Sequence, residues 1–231
     1  MARARLVGPV AIAIALATQL ATAASAAPEE PGGRSPAVSA VITHETIDVD
    51  AEGVTRTSRY QERLVRTGEQ VWIERIFPAG LAPAAARDAH EINVRVAARW
   101  FTRVGKDDVR VALVSAADRV VFDLRAEELE DFGLGRRFAI AGQLVDLAAL
   151  APLDAAAPDG ARWYQRTTAS GYVRVLWSTR LALPLLIESG TSNGRSQART
   201  TVQPEALAAG ARRPWDQVAS FAHRELSDLA D

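Results

Sequence analysis

Apolar and polar residues alternate with a period of two through much of this chain. Between residues 40 and 77 the alternation covers three segments, AVITHETIDVD, VTRTSRYQERLVR and QVWIERIF. These segments are rich in β-branched and aromatic residues, and this combination predicts three strands. Gly68 lies between the second and third segments, where a hairpin loop needs a conformationally permissive residue. We therefore expect those two strands to pair antiparallel.

The same alternation returns in the middle and later parts of the chain. It marks the segments INVRVAARWFTRV, VRVALVS, RVVFDL, RWYQRTT, GYVRVLWS, LALPLLIES and SQARTTVQ. Turn-forming stretches such as GKDD and AAD separate several of them. The pattern predicts a long antiparallel meander.

Three segments show helical spacing instead. AEELEDFG predicts a short helix that is closed by Gly133, and FAIAGQLVDLAALAPL predicts a buried helix that ends at Pro152. RRPWDQVASFAHRELSDLAD has Pro214 at a first helical position and an apolar stripe, which predicts a C-terminal amphipathic helix. The helix near residues 137–150 and the C-terminal helix are the candidate covers for an apolar sheet face.

The N-terminus has the pattern of a secretory signal peptide. Arg3 and Arg5 precede the apolar run LVGPVAIAIALATQLA, and the small residues of ATAASAA follow it. This pattern predicts a signal peptide over residues 1–26 and cleavage after Ala26 or Ala27, which leaves no membrane span. The Pro- and Gly-rich residues 27–37 predict a flexible leader, and residues 38–231 are predicted to form a single domain.

Composition narrows the function classes. The chain has no Cys, so disulfides, thiolate metal sites, thiol catalysis and a lipid-modified cysteine are excluded. The formal net charge is -1, and removal of a signal peptide with two Arg and no acid brings it near -3. Such a balance gives no basis for a nucleic-acid partner.

The stretch WSTRLALPLLIESGTSNGR, residues 177–195, combines a Pro between apolar runs with a later Asn-Gly. Pro184 cannot donate a ladder hydrogen bond, so we expect it at a sheet edge or where a strand begins or bends. Asn193 and Gly194 both tolerate the positive φ of a tight hairpin loop. A strand ending in Leu-Trp, a polar step, Leu-Pro-Leu and an Asn-Gly turn are thus expected in this order.

In this order and spacing, VLWSTRLALPLLIESGTSNGR resembles the family of the periplasmic lipoprotein carrier LolA, which includes the regulator RseB and mycobacterial lipid-binding lipoproteins. The rest of the mature chain agrees in the order of elements only. The resemblance implies an α+β fold: a strongly curved antiparallel β-sheet, an incomplete barrel, with helices covering its concave side. It also implies a periplasmic, non-enzymatic protein that binds or senses a hydrophobic or lipid-linked ligand, or a periplasmic protein partner. No functional residue of the family can be matched position by position.

Apolar side chains of the predicted strands are the candidates for contact with a ligand. They are Trp72, Trp100, Phe122, Val175, Trp177, Leu185 and Ile187. A largely apolar lining is typical of small-ligand pockets, although aromatic residues more often fill a core. If the last four face the concave side, either a helix or a ligand must cover them.

The histidines suggest a second class of function. Asp88 and His90 would share a face of an extended segment, and His44 or Glu45 could supply a third metal ligand. The alternative is an ordinary surface histidine beside an acid. An accessory factor of a metal or redox system, and an interaction module that uses the final helix, are therefore the alternative functions. The sequence contains no G-x-S-x-G turn, S-x-x-K pattern or phosphate-binding loop, so it identifies no catalytic residue and no cofactor.

Overall fold

The computed structural model describes residues 35–81 and 96–226, apart from residues 107, 136, 208 and 209. These residues form one sheet. Its strands are β1 Val38–Val49, β2 Thr55–Thr67, β3 Gln70–Ile76, β4 Ala98–Val104, β5 Asp108–Ser115, β6 Val120–Leu124, β7 Ala151–Leu153, β8 Ala161–Thr168, β9 Gly171–Ser178, β10 Leu183–Thr191, β11 Ser196–Glu205 and β12 Ala222–Glu225. Its helices are α1 Glu128–Asp131, α2 Phe138–Gln143 and α3 Pro214–Gln217, with a 3-10 turn over Leu147–Ala149.

The strand order is β12-β6-β5-β4-β3-β2-β1-β11-β10-β9-β8-β7. Each neighbouring pair is antiparallel except β12 and β6, which run parallel. Two meanders, β1 to β6 and β7 to β11, are joined by the pairing of β1 with β11. Because β12 and β7 lie at opposite ends of this order, the sheet is open. The predicted antiparallel meander is confirmed.

The sheet is strongly curved, because α2 contacts β3 and β4 as well as β10. Three strands lie between β3 and β10, which would put these two strands about 19 Å apart in a flat sheet. A helix is only about 10 Å across, so a flat sheet would leave one side of this contact out of reach. The helix therefore lies on the concave side, as the predicted fold class requires. We call the sheet face that bears Leu64 and Val71 the concave face, and the face that bears Val65 and Trp72 the convex face.

Apolar side chains are buried on both faces. On the concave face a large core joins β1 to β6 with Leu129 of α1 and Phe138 of α2. A smaller concave cluster lies on β8, β9 and β10. On the convex face Trp72 and Val114 pack with Val218 of the C-terminal segment. Burial on both faces explains why the strands contain apolar residues at positions of either parity.

The C-terminal segment departs from its prediction. Between Pro214 and Leu226 only the four residues of α3 are α-helical, and Ala222–Glu225 forms β12. Trp215, Val218 and Phe221 pack against the convex face, not the concave one. The physical reason is the edge of β6, whose backbone groups would otherwise be unpaired and which β12 covers. The predicted amphipathic helix is therefore wrong over residues 218–225.

The predicted buried helix before Pro152 is shorter than expected. It ends at Gln143, and Leu144 adopts a left-handed conformation with φ 64° while its N–H bonds to Ile140 O. The chain then turns, so that Val145, Leu147 and Leu150 reach the β8–β10 cluster. A straight helix could not pack on both parts of a curved sheet. By contrast, the short helix closed by Gly133 is confirmed.

The stretch from 177 to 195 forms β9, a turn, β10 and a hairpin as predicted. Pro184 is the second residue of β10, and the register shifts between Pro184 and Leu186, so the proline lies where the strand begins and bends. In the next loop Gly194 has φ 71°, and Asn193 Oδ1 accepts a hydrogen bond from the Arg195 N–H at 3.0 Å. The turn at residues 179–182 contacts the opposite arm of the sheet in two ways: Leu181 packs against the large core, and Arg66 of β2 donates to the Leu181 and Ala182 carbonyls.

Arg66 of β2 is buried on the concave face with 1% of its surface exposed. Its five N–H groups donate to four backbone carbonyls, those of Pro36, Gly142, Leu181 and Ala182. No carboxylate of the described residues pairs with it, and burial lowers its pKa to about 10. Arg66 therefore joins the start of β1, the end of α2 and the β9–β10 turn.

Candidate ligand-binding face

One row of paired residues crosses the concave face and changes from polar to apolar. In register order from β2 to β8 it comprises Tyr60, His44, Thr200, Ile187, Val175 and Tyr164. Directly paired residues of antiparallel strands point to the same face, so these six side chains are neighbours on one surface. Because one half of the row is polar and the other half is apolar, we call it the amphipathic row.

The apolar half of the row belongs to a cluster on β8, β9 and β10. Tyr164, Val175, Trp177 and Ile187 are buried in it, and Val173 is half-buried at its border. The segment after α2 contributes side chains that cover part of the cluster. Part of the apolar surface is therefore covered by the chain itself, while its border near Val173 is partly exposed.

The polar half is built around Glu62. One carboxylate oxygen of Glu62 accepts a hydrogen bond from Arg99 Nη2 at 2.5 Å, and the other lies 3.0 Å from His44 Nε2. His44 Nδ1 lies 3.1 Å from Thr200 Oγ1. Burial acts to raise the pKa of Glu62, but the His44 hydrogen bond and the Arg99 charge outweigh it, and the pKa is lowered. Glu62 is therefore ionised at neutral pH, and its charge holds both neighbours in place.

Tyr60 completes the polar half. Its ring stacks on His44 with the centroids 4.5 Å apart, and the guanidinium carbon of Arg75 lies 3.7 Å from the Tyr60 ring centroid. Burial and the charge of Glu62 raise the pKa of Tyr60, and the positive charges of Arg99 and Arg75 oppose them. The phenol therefore remains protonated at neutral pH and is available as a donor.

The adjacent row on the concave face, on the side of the β10–β11 hairpin, consists mainly of small side chains. Thr46 of β1 pairs with Ala198 of β11, which pairs with Ser189 of β10. All three are half-buried. Small side chains leave space above the sheet, so this row forms a shallow floor beside the amphipathic row.

Thr200, His44 and Glu62 have the order of a hydroxyl–imidazole–carboxylate relay, but their placement does not suit acyl transfer. A nucleophile of that kind needs free N–H groups close by to stabilise the oxyanion. Thr200 lies inside β11 and is paired with His44 on one side and Ile187 on the other, so the backbone around it is committed to the sheet. The cluster is better suited to binding and positioning than to covalent catalysis.

The residues predicted for ligand contact are divided by the structure. Val175, Trp177 and Ile187 lie together in the concave β8–β10 cluster. Leu185 is the extra residue of the β10 bulge and does not belong to that cluster. Phe122 is on the concave face but is buried in the larger core of β1 to β6.

Trp72 and Trp100 face away from the proposed lining. They are paired across β3 and β4 with ring centroids 6.5 Å apart, on the convex face under the C-terminal segment. The expectation that these tryptophans share a concave lining with Val175 and Trp177 is therefore not met. Sequence alternation alone could not decide this, because both parities of β3 are apolar.

The metal prediction falls mainly outside the described part of the chain. Asp88 and His90 are not among the described residues. His44, considered as a third ligand, has both ring nitrogens engaged, by Glu62 and Thr200. Within the ranges that are described, no group of three or more His, Asp or Glu side chains is placed to hold a metal ion.

Sequence reasoning missed the polar cluster as a unit. Its members come from β1, β2, β3, β4 and β11, and no motif links them. One local signal was present: Glu62 and His44 are polar residues at strand positions that face the same side as the apolar residues Leu64 and Ile42. A charged residue in such a place needs a partner, and this could have directed attention to them.

A second concavity lies on the convex face at the β7 end of the sheet. It has a volume of about 380 Å³ and is lined by Leu153, Gln165, Thr167, Tyr172 and Arg174. It is shallow and mixed in polarity, and it is separated from the amphipathic row by the sheet itself.

Within the described ranges, no helix is long and apolar enough to cross a membrane.

No protein-family model matches the chain, and no curated protein matches its sequence. Several solved structures are similar to it. A DUF1329 family protein from Desulfovibrio piger is 11% identical over 82% of this chain and 93% of its own, with a TM-score of 0.40. A LolA superfamily protein from Nitrosomonas europaea is 9% identical over 75% of this chain and 88% of its own, with a TM-score of 0.32.

The structure of the Pseudomonas aeruginosa MucA/MucB complex also matches, with 14% identity over 78% of this chain and 55% of the matched chain and a TM-score of 0.37. At these identities and TM-scores the likeness concerns the fold alone. The open sheet, its curvature and its helix-covered concave face follow from the chain's own contacts. The chain thus has an α+β fold with a remote likeness to LolA-superfamily structures, the family that residues 175–195 resemble.

Proposed function

We propose that this chain is a non-enzymatic periplasmic protein that binds a hydrophobic or lipid-linked ligand on its concave face. The observation that carries the proposal is the row from Tyr60 to Tyr164, which changes from polar to apolar across six strands. Ligand sites are mostly apolar, with a few polar groups that fix orientation. This row supplies both parts on one surface.

The room for a ligand is at the border of the apolar cluster. Val173 is half-buried there, next to the small residues Ser189 and Ala198 of the neighbouring strands. An acyl chain laid along this floor would cover the exposed part of the cluster. Burial of each methylene group is worth about 0.8 kcal/mol, so affinity should rise with chain length until the floor is filled.

The test is displacement of a neutral apolar dye, N-phenylnaphthylamine, by alkyl ligands of increasing length. Wild-type protein should bind the dye saturably, and longer chains should displace it at lower concentration. Val173→Arg places a charge in the apolar contact and should weaken binding by about tenfold or more, since about 1.4 kcal/mol suffices for that change.

The matched control is Tyr172→Arg, because Tyr172 is the adjacent residue on β9 and lines the opposite face. It should bind the dye within about twofold of wild type, a difference of roughly 0.4 kcal/mol. Folded wild-type protein without any saturable binding would contradict the proposed function. Equal losses in both variants would show that the effect is not specific to the concave face.

The periplasmic part of the proposal rests on residues 1–26, which carry the signal-peptide pattern. Export through this signal predicts a mature protein that begins at Ala27 or Pro28. N-terminal sequencing of protein recovered from the periplasm tests this directly. An intact Met1 in that material would overturn the assignment of compartment.

A further inference from the structure

We propose that the polar end of the concave face binds the anionic head of an amphipathic ligand, a carboxylate or phosphate group, through Arg75, Arg99 and Tyr60. This inference rests on the proposed function and specifies the class of ligand. Three observations support it, one for each side chain.

Arg75 is a half-buried cation that has no anionic partner among the described residues. Its guanidinium stacks on Tyr60, and among the described residues it forms no hydrogen bond or ion pair. Arginines around it are paired: Arg63 with Glu74, Arg99 with Glu62 and Arg103 with Glu69. The stack on Tyr60 orients the Arg75 guanidinium, and its N–H donors have no acceptor among the described residues.

Tyr60 is held in place on the concave face. His44 stacks on its ring and Arg75 lies over the same ring, so the direction of the hydroxyl is fixed. In the described part of the chain no hydrogen bond engages this hydroxyl. A protonated, oriented phenol with a free O–H is a donor for an anionic oxygen.

Among the described residues, Arg99 is anchored through one of its nitrogens. Its Nη2 donates to Glu62, and its guanidinium forms no other hydrogen bond or ion pair with a described residue. Glu62 uses its second oxygen on His44, so each carboxylate oxygen already has a partner. Two arginines then face one carboxylate, and this imbalance leaves a net positive charge beside Tyr60.

These donors suit one chemical class. A guanidinium matches carboxylate and phosphate oxygens, and charge-assisted hydrogen bonds are roughly twice as strong as neutral ones. From Tyr60 on β2 the sheet runs over β1, β11 and β10 to Val173 on β9, a path of about 19 Å measured along its curved surface at the usual strand spacing. A ligand with its anionic head at Arg75 can therefore lay its tail along the floor of small side chains towards Val173, where the border of the apolar cluster is partly exposed.

The experiment compares ligands with one tail and different heads. Dodecyl phosphate, dodecanoate and dodecanol are titrated against the dye-loaded full-length mature protein at neutral pH, below their aggregation limits. The two anionic ligands should displace the dye at about tenfold lower concentration than dodecanol, equivalent to one additional charge-assisted hydrogen bond. Arg75→Gln should abolish this preference and leave dodecanol binding unchanged, which also shows that the variant is folded.

Arg63→Gln is the matched control, because Arg63 lies on β2 next to Glu62 but points to the convex face, where it pairs with Glu74. It should keep the preference for anionic heads. Inorganic phosphate distinguishes a lipid head from a free anion: if it binds as tightly as dodecyl phosphate, the tail contributes nothing and the lipid-head assignment is overturned.

Two outcomes separate this inference from the proposed function. If none of the alkyl ligands displaces the dye, the proposed function fails and the inference fails with it. If dodecanol and the anionic ligands bind equally, and Arg75→Gln changes neither, the ligand-binding face stands and the anionic head is refuted.

Discussion

Arg66 offers a sharp test of how the two arms of the sheet are held together. All five of its N–H groups donate to backbone carbonyls, and none of the described carboxylates pairs with it. The acceptors belong to the start of β1, the end of α2 and the β9–β10 turn. Replacement by Met removes the donors and the charge and keeps an unbranched apolar stem.

The expected change follows from two opposing effects. Without Arg66, the buried Gly142 carbonyl and the half-buried carbonyls of Leu181 and Ala182 lose their donor, at about 1–3 kcal/mol each and about 5 kcal/mol together. The exposed Pro36 carbonyl can bond to water instead. Removal of the buried cation returns about 3 kcal/mol, because burial lowers the pKa of Arg66 to about 10. Arg66→Met should therefore lower the free energy of unfolding by about 2 kcal/mol.

Arg66→Lys should do no better. An ammonium keeps the buried charge but offers three donors in place of five, so at least two hydrogen bonds are lost without relief of the burial penalty. We expect a loss of about 3 kcal/mol, and a fall in Tm of roughly 2–4 °C per kcal/mol for each variant.

Urea unfolding followed by tryptophan fluorescence measures both changes. Arg63→Met is the control, since Arg63 is on the same strand and forms a partly exposed ion pair with Glu74 at 3.6 Å, which should contribute less than about 1 kcal/mol. If Arg66→Met is as stable as the wild type, the carbonyl contacts do not offset the buried charge. If Arg66→Lys is tolerated, the charge matters and the geometry of the guanidinium does not.

Two further predictions concern other parts of the fold. The pKa of Glu62 is lowered in the folded protein, so its contribution to the free energy of unfolding is complete above pH 4.5 and is lost as the pH falls through the pKa of the folded state. Glu62→Gln should therefore lower the free energy of unfolding by about 1–3 kcal/mol at pH 7. A difference from wild type that does not shrink in acid would contradict this. A Cβ on Gly171 would lie 2.2 Å from the Gly190 carbonyl oxygen, whereas one on Gly194 meets open space at φ 71°. Thermal unfolding should therefore show a loss of about 3 kcal/mol for Gly171→Ala but only about 1–2 kcal/mol for Gly194→Ala, and equal losses would exclude the steric explanation.

Local chemistry alone determined where most strands and turns lie. The alternation in VTRTSRYQERLVR and QVWIERIF predicts β2 and β3, and Gly133, Pro184 and Asn193-Gly194 mark a helix end, a strand bend and a hairpin. Each of these depends on the backbone preferences of a few adjacent residues. The expectation of a curved, open sheet came from the resemblance of residues 175–195 to the LolA family.

Which face each side chain joins was decided only by the tertiary structure. A strand such as QVWIERI has apolar residues at both parities, so its sequence cannot tell whether Trp72 or Val71 faces the concave side. The same is true of the C-terminal segment, where the open edge of β6 outweighed the helical stripe. Edge pairing and burial depend on neighbours far along the chain, which a local pattern does not contain.

The candidate site shows this dependence most clearly. Glu62 and Arg99 are 37 residues apart, and Thr200 is 156 residues from His44, yet the four side chains form one cluster on the concave face. Each is unremarkable in its own strand, because a single charged residue in an alternating segment usually points to solvent. Sheet order brings β1, β2 and β11 side by side, so the partners of these side chains, and the chemistry of the cluster, exist only in the folded protein.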